Sequence, residues 1–388
     1  MPTPDLSSTI LMIHFRCDKH HSSTTWPKNR CTGLPRTMAV SILALLALLT
    51  VASISTVPAA QGIIDGHHTR MEATSRSTDT ALFRSLVTQV RSGGNYYVVA
   101  IATQRTSGYP VRPFFTIRLP TLTWLIAYLS PLVARLLILL LAAATVITLT
   151  IRLTAIIDQT NLRMVVGILL IIFGVFPALV EPAIWQTEIW AGLFITLSLA
   201  LRQPERYWPS IAAALAAVLI RELALPYLLA MGLLAALAGR RRETLGWGIA
   251  IGLFAVAFLA HAQAVHALIQ PNDPVSQGWN GQAGWALFVS SCCLGTILMA
   301  LPTLVVAVLL PFSFFGLAAW NAPVTLRAFI TLSGYALLIT MFARVDNVYW
   351  VWMISPILGL GLLFAPYCLT DLLRSARRRA GSTCAPHH

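Results

Sequence analysis

The chain has 388 residues, of which 57% are hydrophobic and only 11% charged, and its mean hydropathy is +0.73. Soluble domains carry about a quarter charged residues, and here the apolar residues fall in runs of roughly 17–25, the length that crosses a ~30 Å hydrocarbon core. A soluble globular domain is therefore excluded. The formal net charge of +13 does not signal nucleic acid, because the arginines are scattered among loops with no compact basic face or base-stacking module. Lys19 and Lys28 are the only lysines. The expected class is an all-α polytopic membrane protein with about 9–11 transmembrane helices.

Residues 1–37 are polar and rich in Ser, Thr, Pro and His, which predicts a disordered extension, with Met38 as an alternative start. Cys17 and Cys31 flank His20 and His21 at a spacing that matches no zinc pattern. Residues 38–56 form the first span, with Lys28, Arg30 and Arg36 before it. A retained anchor is preferred to a cleaved signal peptide because the rest of the chain is also apolar, although 57–60 offers small residues.

A long helical outer loop follows, residues 58–120, carrying Arg70, Arg76, Arg84, Arg91, Arg105, Arg112 and Arg118 against Asp65, Glu72 and Asp79. Asp79 opens an amphipathic helix whose apolar face is Leu82, Phe83, Leu86 and Val90. Thr78 or Asp79 is its candidate N-cap, and Gly93-Gly94 ends it. Residues 119–129 suggest an interfacial helix.

Spans are then expected at 132–151, 164–179 and 189–201, with an outer turn at 181–185. The stretch 211–238 is interrupted by Arg221-Glu222 and reads as two short helices forming a hairpin. A span at 247–260 leads to an outer loop, 261–285, that holds Asp273. Residues 286–319 fit either two spans or one span preceded by an interfacial helix, and parity favours one. Spans at 328–342 and 349–364 complete domain 38–373, and 374–388 is a basic tail. Arginine clusters at alternate turns place both termini in the cytoplasm and the long loop outside, by the positive-inside bias.

Three groups of residues can carry chemistry. Asp79 is either a capping carboxylate favoured by the helix dipole or a general base that takes a proton from a hydroxyl. Tyr96, Tyr97 and Tyr109 suit the membrane interface and also sugar faces, while Arg105, Arg112 and Arg118 suit either a phosphate or lipid headgroups. Glu181, Trp185 and Glu188 fall at i, i+4 and i+7, one face of a helix. Glu188 lies at the start of an apolar span, where an ionisable group is a functional candidate by default. Arg221-Glu222 is its natural partner, either as a structural ion pair or around a substrate. Arg344, Asp346, Asn347, Tyr349 and Trp350 cluster at an outer helix end. His261 and His266 are a weak metal pair, no cofactor is indicated, and a divalent-cation requirement stays open.

These elements together resemble the membrane-embedded glycosyltransferases of the GT-C superfamily. The likeness rests on a first span, then an outer loop with an early acid (Asp79), Gly93-Gly94-Asn95-Tyr96-Tyr97 and a Pro-rich return from Gly108-Tyr109-Pro110 to Arg118-Leu119-Pro120. Arg221-Glu222 and the run from Arg344 to Trp350 add to it, and it spans about 38–373. The chain departs from the pattern in having a lone acid where many members have adjacent paired acids. The resemblance implies a bacterial plasma-membrane hexosyltransferase, inverting, that takes a sugar from a polyprenyl-phosphate donor to a glycan, lipid or protein acceptor on the outer face. In that scheme Asp79 is the base and Arg118, Arg221 or Arg344 stabilises the lipid phosphate. The alternative reading is a transporter or flippase for an amphipathic anion or lipid-linked saccharide.

Overall fold

A computed structural model describes residues 29–73, 79–157, 161–279 and 281–378. The extension before residue 29 with Cys17, His20 and His21, residues Arg76 and Thr78, and the tail beyond Arg378 lie outside them. The described chain is helical: α1 (Arg36–Ser55), α2 (Val57–Ala73), α3 (Asp79–Arg91), α4 (Tyr96–Thr106), α5 (Thr121–Tyr128), α6 (Pro131–Thr154), α7 (Asn161–Gly174) and α8 (Thr187–Leu201). Then come α9 (Trp208–Ile220), α10 (Leu225–Leu237), α11 (Arg241–His266), α12 (Gly284–Gly295), α13 (Thr303–Ala319), α14 (Pro323–Phe342), α15 (Ser355–Leu358) and α16 (Leu360–Arg377).

Among the described residues, five helices are long and apolar enough to cross a membrane: Arg36–Arg70, Pro131–Thr154, Arg241–His266, Pro323–Phe342 and Ser355–Arg377. Six shorter apolar helices pack among them. At 1.5 Å per residue these fall short of a ~30 Å core when taken alone.

Several expected boundaries shift for local reasons. Helix α1 ends at Ser55, close to the expected residue 56, but α2 follows after a single residue with Pro58 at its second position, where a proline costs no hydrogen bond, so the apolar helical stretch extends over Arg36–Arg70. The span expected at 164–179 stops at Gly174 and is finished by a 3-10 turn, Phe176–Leu179. Helix α11 runs on to His266, so the loop before α12 is shorter than the sequence suggested. Arg374 and Arg377 belong to the last turn of α16 rather than to a free tail. Within the ambiguous run 286–319, α12 is buried by protein from Ala286 to Cys293, and α13 is the longer helix.

Helix α8 is buried on nearly every face, as expected for a helix at the centre of a bundle. Around it pack α6, α9 and the turn Val348–Met353. Helices α13 and α16 approach so closely that a Cβ on Gly316 would fall 1.9 Å from the Gly361 carbonyl oxygen, and one on Gly361 would fall 1.8 Å from that of Ser313. Only glycine permits this contact, a common device where helices meet in lipid.

The two ends of the bundle differ. One end gathers Arg152 on the Ala200 carbonyl, Arg202 on Glu243 at 2.7 Å, and Asn29 on Asp371 at 2.8 Å. The other end carries α3, α4 and α5, the loop after α11, and the turn at Arg344 to Asn347.

Candidate functional site

The return segment of the long loop is held rigidly, and that aims Arg118. The amides of Val111 and Arg112 donate to the Pro274 carbonyl at 2.9 and 3.1 Å, and the Ser276 amide donates to Arg112 O at 2.7 Å. The Tyr96 hydroxyl, buried beneath α4, donates to the Arg118 carbonyl at 2.6 Å. Burial pushes the Tyr96 phenol upward, so it stays protonated as a donor. The side chain of Arg118 therefore enters the bundle from a fixed backbone.

Three distant segments meet there. Arg118 Nη1 donates to Thr187 Oγ1 at 2.9 Å and lies 3.4 Å from Glu188 Oε2, while Thr187 Oγ1 donates to the same carboxylate oxygen at 2.9 Å. Glu188 sits in the first turn of α8, where the helix dipole favours an anion. From the tip of the α9–α10 hairpin, Arg221 Nε stands 2.9 Å from Glu188 Oε1 and Arg221 Nη1 donates to Glu222 Oε1 at 2.8 Å. The contact with Glu188 Oε1 is a charge contact out of hydrogen-bond alignment, since neither atom has an aligned partner.

The exposures of these side chains are 12% for Arg118, 0% for Glu188, 9% for Arg221 and 14% for Glu222. Two cations thus face two carboxylates almost entirely out of water. The cluster is electrically balanced, and an incoming anion must displace a carboxylate from one of the arginines. Arg221 is locked between two carboxylates, whereas Arg118 touches one at 3.4 Å. Arg118 is the arm that can be released.

Aromatic rings cover Arg118 on two sides. Its guanidinium carbon lies 4.5 Å from the centroid of Phe83 and 5.9 Å from that of Tyr349. Phe83 belongs to α3, the helix whose first residue is Asp79. Phe83 and Arg118 both line two narrow crevices, each of about 10 Å³. Tyr349 accepts from Asn347 Nδ2 at 3.0 Å, and Asn347 Oδ1 accepts from the Arg344 amide at 3.1 Å. That ties the turn at Arg344 to Asn347 to the cluster. Asp346 is half exposed and pairs with Arg344 at 3.1 Å and with Arg70 at the end of the first long helix.

Other candidates go elsewhere. Glu181, Trp185 and Glu188 do not share a helix face: Pro182 places Glu181–Trp185 in a 3-10 turn, and a new helix starts at Thr187. Glu181 is exposed and pairs with Arg84, while Glu188 is buried. Arg105 does not join the cluster but clamps Asp273, with Nη2 to Oδ2 at 2.7 Å. Arg112 bonds the Pro271 carbonyl. The Tyr109 amide closes the turn after α4 on Gln104 O at 2.9 Å, and Tyr97 lies against His261, with ring centroids 5.6 Å apart. His261 Nε2 is 2.9 Å from the Ile117 carbonyl, which it reaches as a donor, so this nitrogen is engaged in packing rather than free for a metal. Among the described residues no group of three His, Cys, Asp or Glu side chains is placed to hold a metal ion. Thr187 and Phe83 escaped notice as site residues, and the only sequence hint for Thr187 was its place beside Glu188.

The Arg105 hydrogen bonds hold the Asp273 carboxyl below the usual carboxylate range. A depressed carboxyl contributes stability above its unfolded value, about 3.9, and loses it as pH falls through the lower folded value. Amide exchange in residues 267–276 is therefore expected to rise below about pH 4, and Asp273→Asn should show the fast exchange already at pH 7. Unchanged exchange in that variant would exclude the clamp as what orders this loop.

No protein-family model, no curated protein and no solved structure matches this chain.

Proposed function

We propose that the chain is an integral membrane glycosyltransferase of GT-C type, moving a sugar from a polyprenyl-phosphate donor to an acceptor hydroxyl on the outer face of a bacterial plasma membrane. One observation carries the reading: Arg118 and Arg221 meet at buried Glu188, beneath the helix that Asp79 opens. Two guanidiniums in a site of low dielectric suit a departing lipid phosphate, whose charge develops in the transition state. The arginine-rich opposite end of the bundle suits the cytoplasmic side, which supports a site facing outward and termini facing inward. The six shorter apolar helices, each crossing with its flanking turns, would bring the five long ones to the upper end of the expected 9–11 spans.

In the reaction, the Asp79 carboxylate takes the acceptor proton as the acceptor oxygen bonds the anomeric carbon. The bond from that carbon to the phosphate oxygen breaks, and the polyprenyl phosphate leaves as an anion held by Arg118. Arg221 fixes Glu188 and so sets where Arg118 rests.

The test is transfer of labelled sugar from polyprenyl-phosphate donors by the protein in nanodiscs. Asp79→Asn is expected to lose about 10²–10⁴ in rate, the usual worth of a general base, and activity within about tenfold of wild type would exclude it. The rival reading predicts uptake of the intact compound into vesicles without sugar release, which the same donor distinguishes.

A further inference from the structure

Between the start of α4 and α5 lies a second, solvent-open cleft of about 370 Å³. Arg91, Asn95, Tyr96, Tyr97, Trp124 and Tyr128 form its walls. Two of these aromatics are unusually open for their size, Trp124 at 40% and Tyr128 at 82% exposure. Tyr96 is buried and meets Tyr97 and Trp124 edge-on, with centroids at 5.1 and 6.1 Å. At the rim, Gly93 has φ +95°, and a Cβ there would meet open space, so the backbone itself borders the cleft.

The polar groups in the wall are held in place. Arg91 donates to the carbonyls of Ala127 and Ile126 at 3.1 and 2.7 Å. Asn95 Oδ1 accepts from the amides of Tyr97 and Val98 at 3.0 and 3.3 Å, which fixes the direction of its amide group. Arg91 is thus committed to backbone carbonyls and is a poor match for a phosphate. Arginine, asparagine and three tyrosines interrupt the apolar wall, which a hydrocarbon chain would not fill.

We propose that this cleft binds the pyranose rings of a saccharide. A sugar ring has an apolar C–H face and a rim of hydroxyls, and tyrosine and tryptophan offer a broad apolar face with a polar handle. Binding pockets commonly combine such faces with a few fixed polar groups. The floor of the cleft, Tyr96, donates its hydroxyl to the Arg118 carbonyl, so a ring bound here lies one residue from the buried charge cluster. That the saccharide is the acceptor rests on the transferase reading above; its binding does not.

The experiment is saturation-transfer NMR of soluble mannose, glucose and galactose oligosaccharides with the full chain in nanodiscs, without donor. At least one sugar is expected to receive saturation at its ring protons. Trp124→Ala and Tyr128→Ala should each weaken that binding about threefold to tenfold, the worth of an aromatic contact. The high exposure of Tyr128 makes its variant safe for folding. The proposal is overturned if no saccharide binds, if both variants bind as wild type does, or if short-chain phosphatidylglycerol binds instead with the same dependence on both residues. Saccharide binding without transfer from any lipid-phosphate sugar would keep this site and sink the transferase; transfer without such binding would do the reverse.

Discussion

Arg221→Ala is expected to destabilise the protein by about 3–5 kcal/mol, the cost of removing one partner from a buried ion pair. Glu188 is wholly buried, and Arg221 is its nearest cation at 2.9 Å, with Arg118 farther off at 3.4 Å. Without Arg221 the Glu188 and Glu222 carboxylates face a single guanidinium in a site closed to water. The change should be read as the shift in unfolding midpoint of the purified protein titrated with denaturing detergent. A second variant separates charge from packing. Glu188→Gln in the Arg221→Ala background should recover part of the loss, because a neutral amide replaces the uncompensated carboxylate and the two effects are not additive. If Arg221→Ala stays within about 1 kcal/mol of wild type, the value of a surface pair, the cluster is not a buried ion network. Asp346 supplies the contrast: it is 49% exposed in its pair with Arg344, so Asp346→Asn should change stability by less than about 1 kcal/mol.

What could be read in the sequence follows from how many partners each charge had. Arg221-Glu222 interrupts an apolar stretch, so few groups can neutralise it, and its approach to Glu188 is present at 2.9 Å. The helix from Asp79 was legible because its apolar spacing is closed by Gly93, whose positive φ stops a helix. Arg105 and Arg118 looked alike, both arginines in one basic loop. Their fates differ because Asp273, 168 residues away, captures Arg105, and nothing local in the chain announces that pairing. Glu181 and Glu188 were misjudged by spacing alone. A face at i and i+7 requires unbroken helix, and Pro182 with the turn at Gln186 breaks it. The shorter helices α9, α10 and α12 were hard to separate from full spans, since an apolar run looks the same whether lipid or protein surrounds it. Residues 286–293 are apolar or small because protein buries them on all sides.

Arg118→Lys is expected to lower transfer by about 10²–10³, the usual cost of losing one preorganised charge contact in the transition state, while leaving the unfolding midpoint close to that of wild type. Under the proposed reaction the two readouts part, because Arg118 then has two separable roles. In the resting protein it reaches Thr187 at 2.9 Å and Glu188 only at 3.4 Å, and Arg221 still compensates Glu188 when Arg118 is shortened. Stability therefore rests mainly on Arg221. A phosphate asks more of Arg118, since a planar fork can turn from Glu188 and offer two parallel donors, whereas an ammonium offers a point charge. The same plane stacks on Phe83 at 4.5 Å, so the guanidinium is oriented by the helix that carries Asp79. Lysine keeps the charge and loses both the fork and the stacking. A fall in kcat with little change in donor KM would place the interaction in the transition state. A rise in KM alone would make Arg118 a site of ground-state binding, and equal losses of stability in the Arg118 and Arg221 variants would contradict the division of labour between them. Phe83→Leu offers an independent check: it removes the stacking surface and leaves every charge in place. If Phe83 orients Arg118, this variant should lose part of the same kcat without altering the dependence of rate on donor concentration.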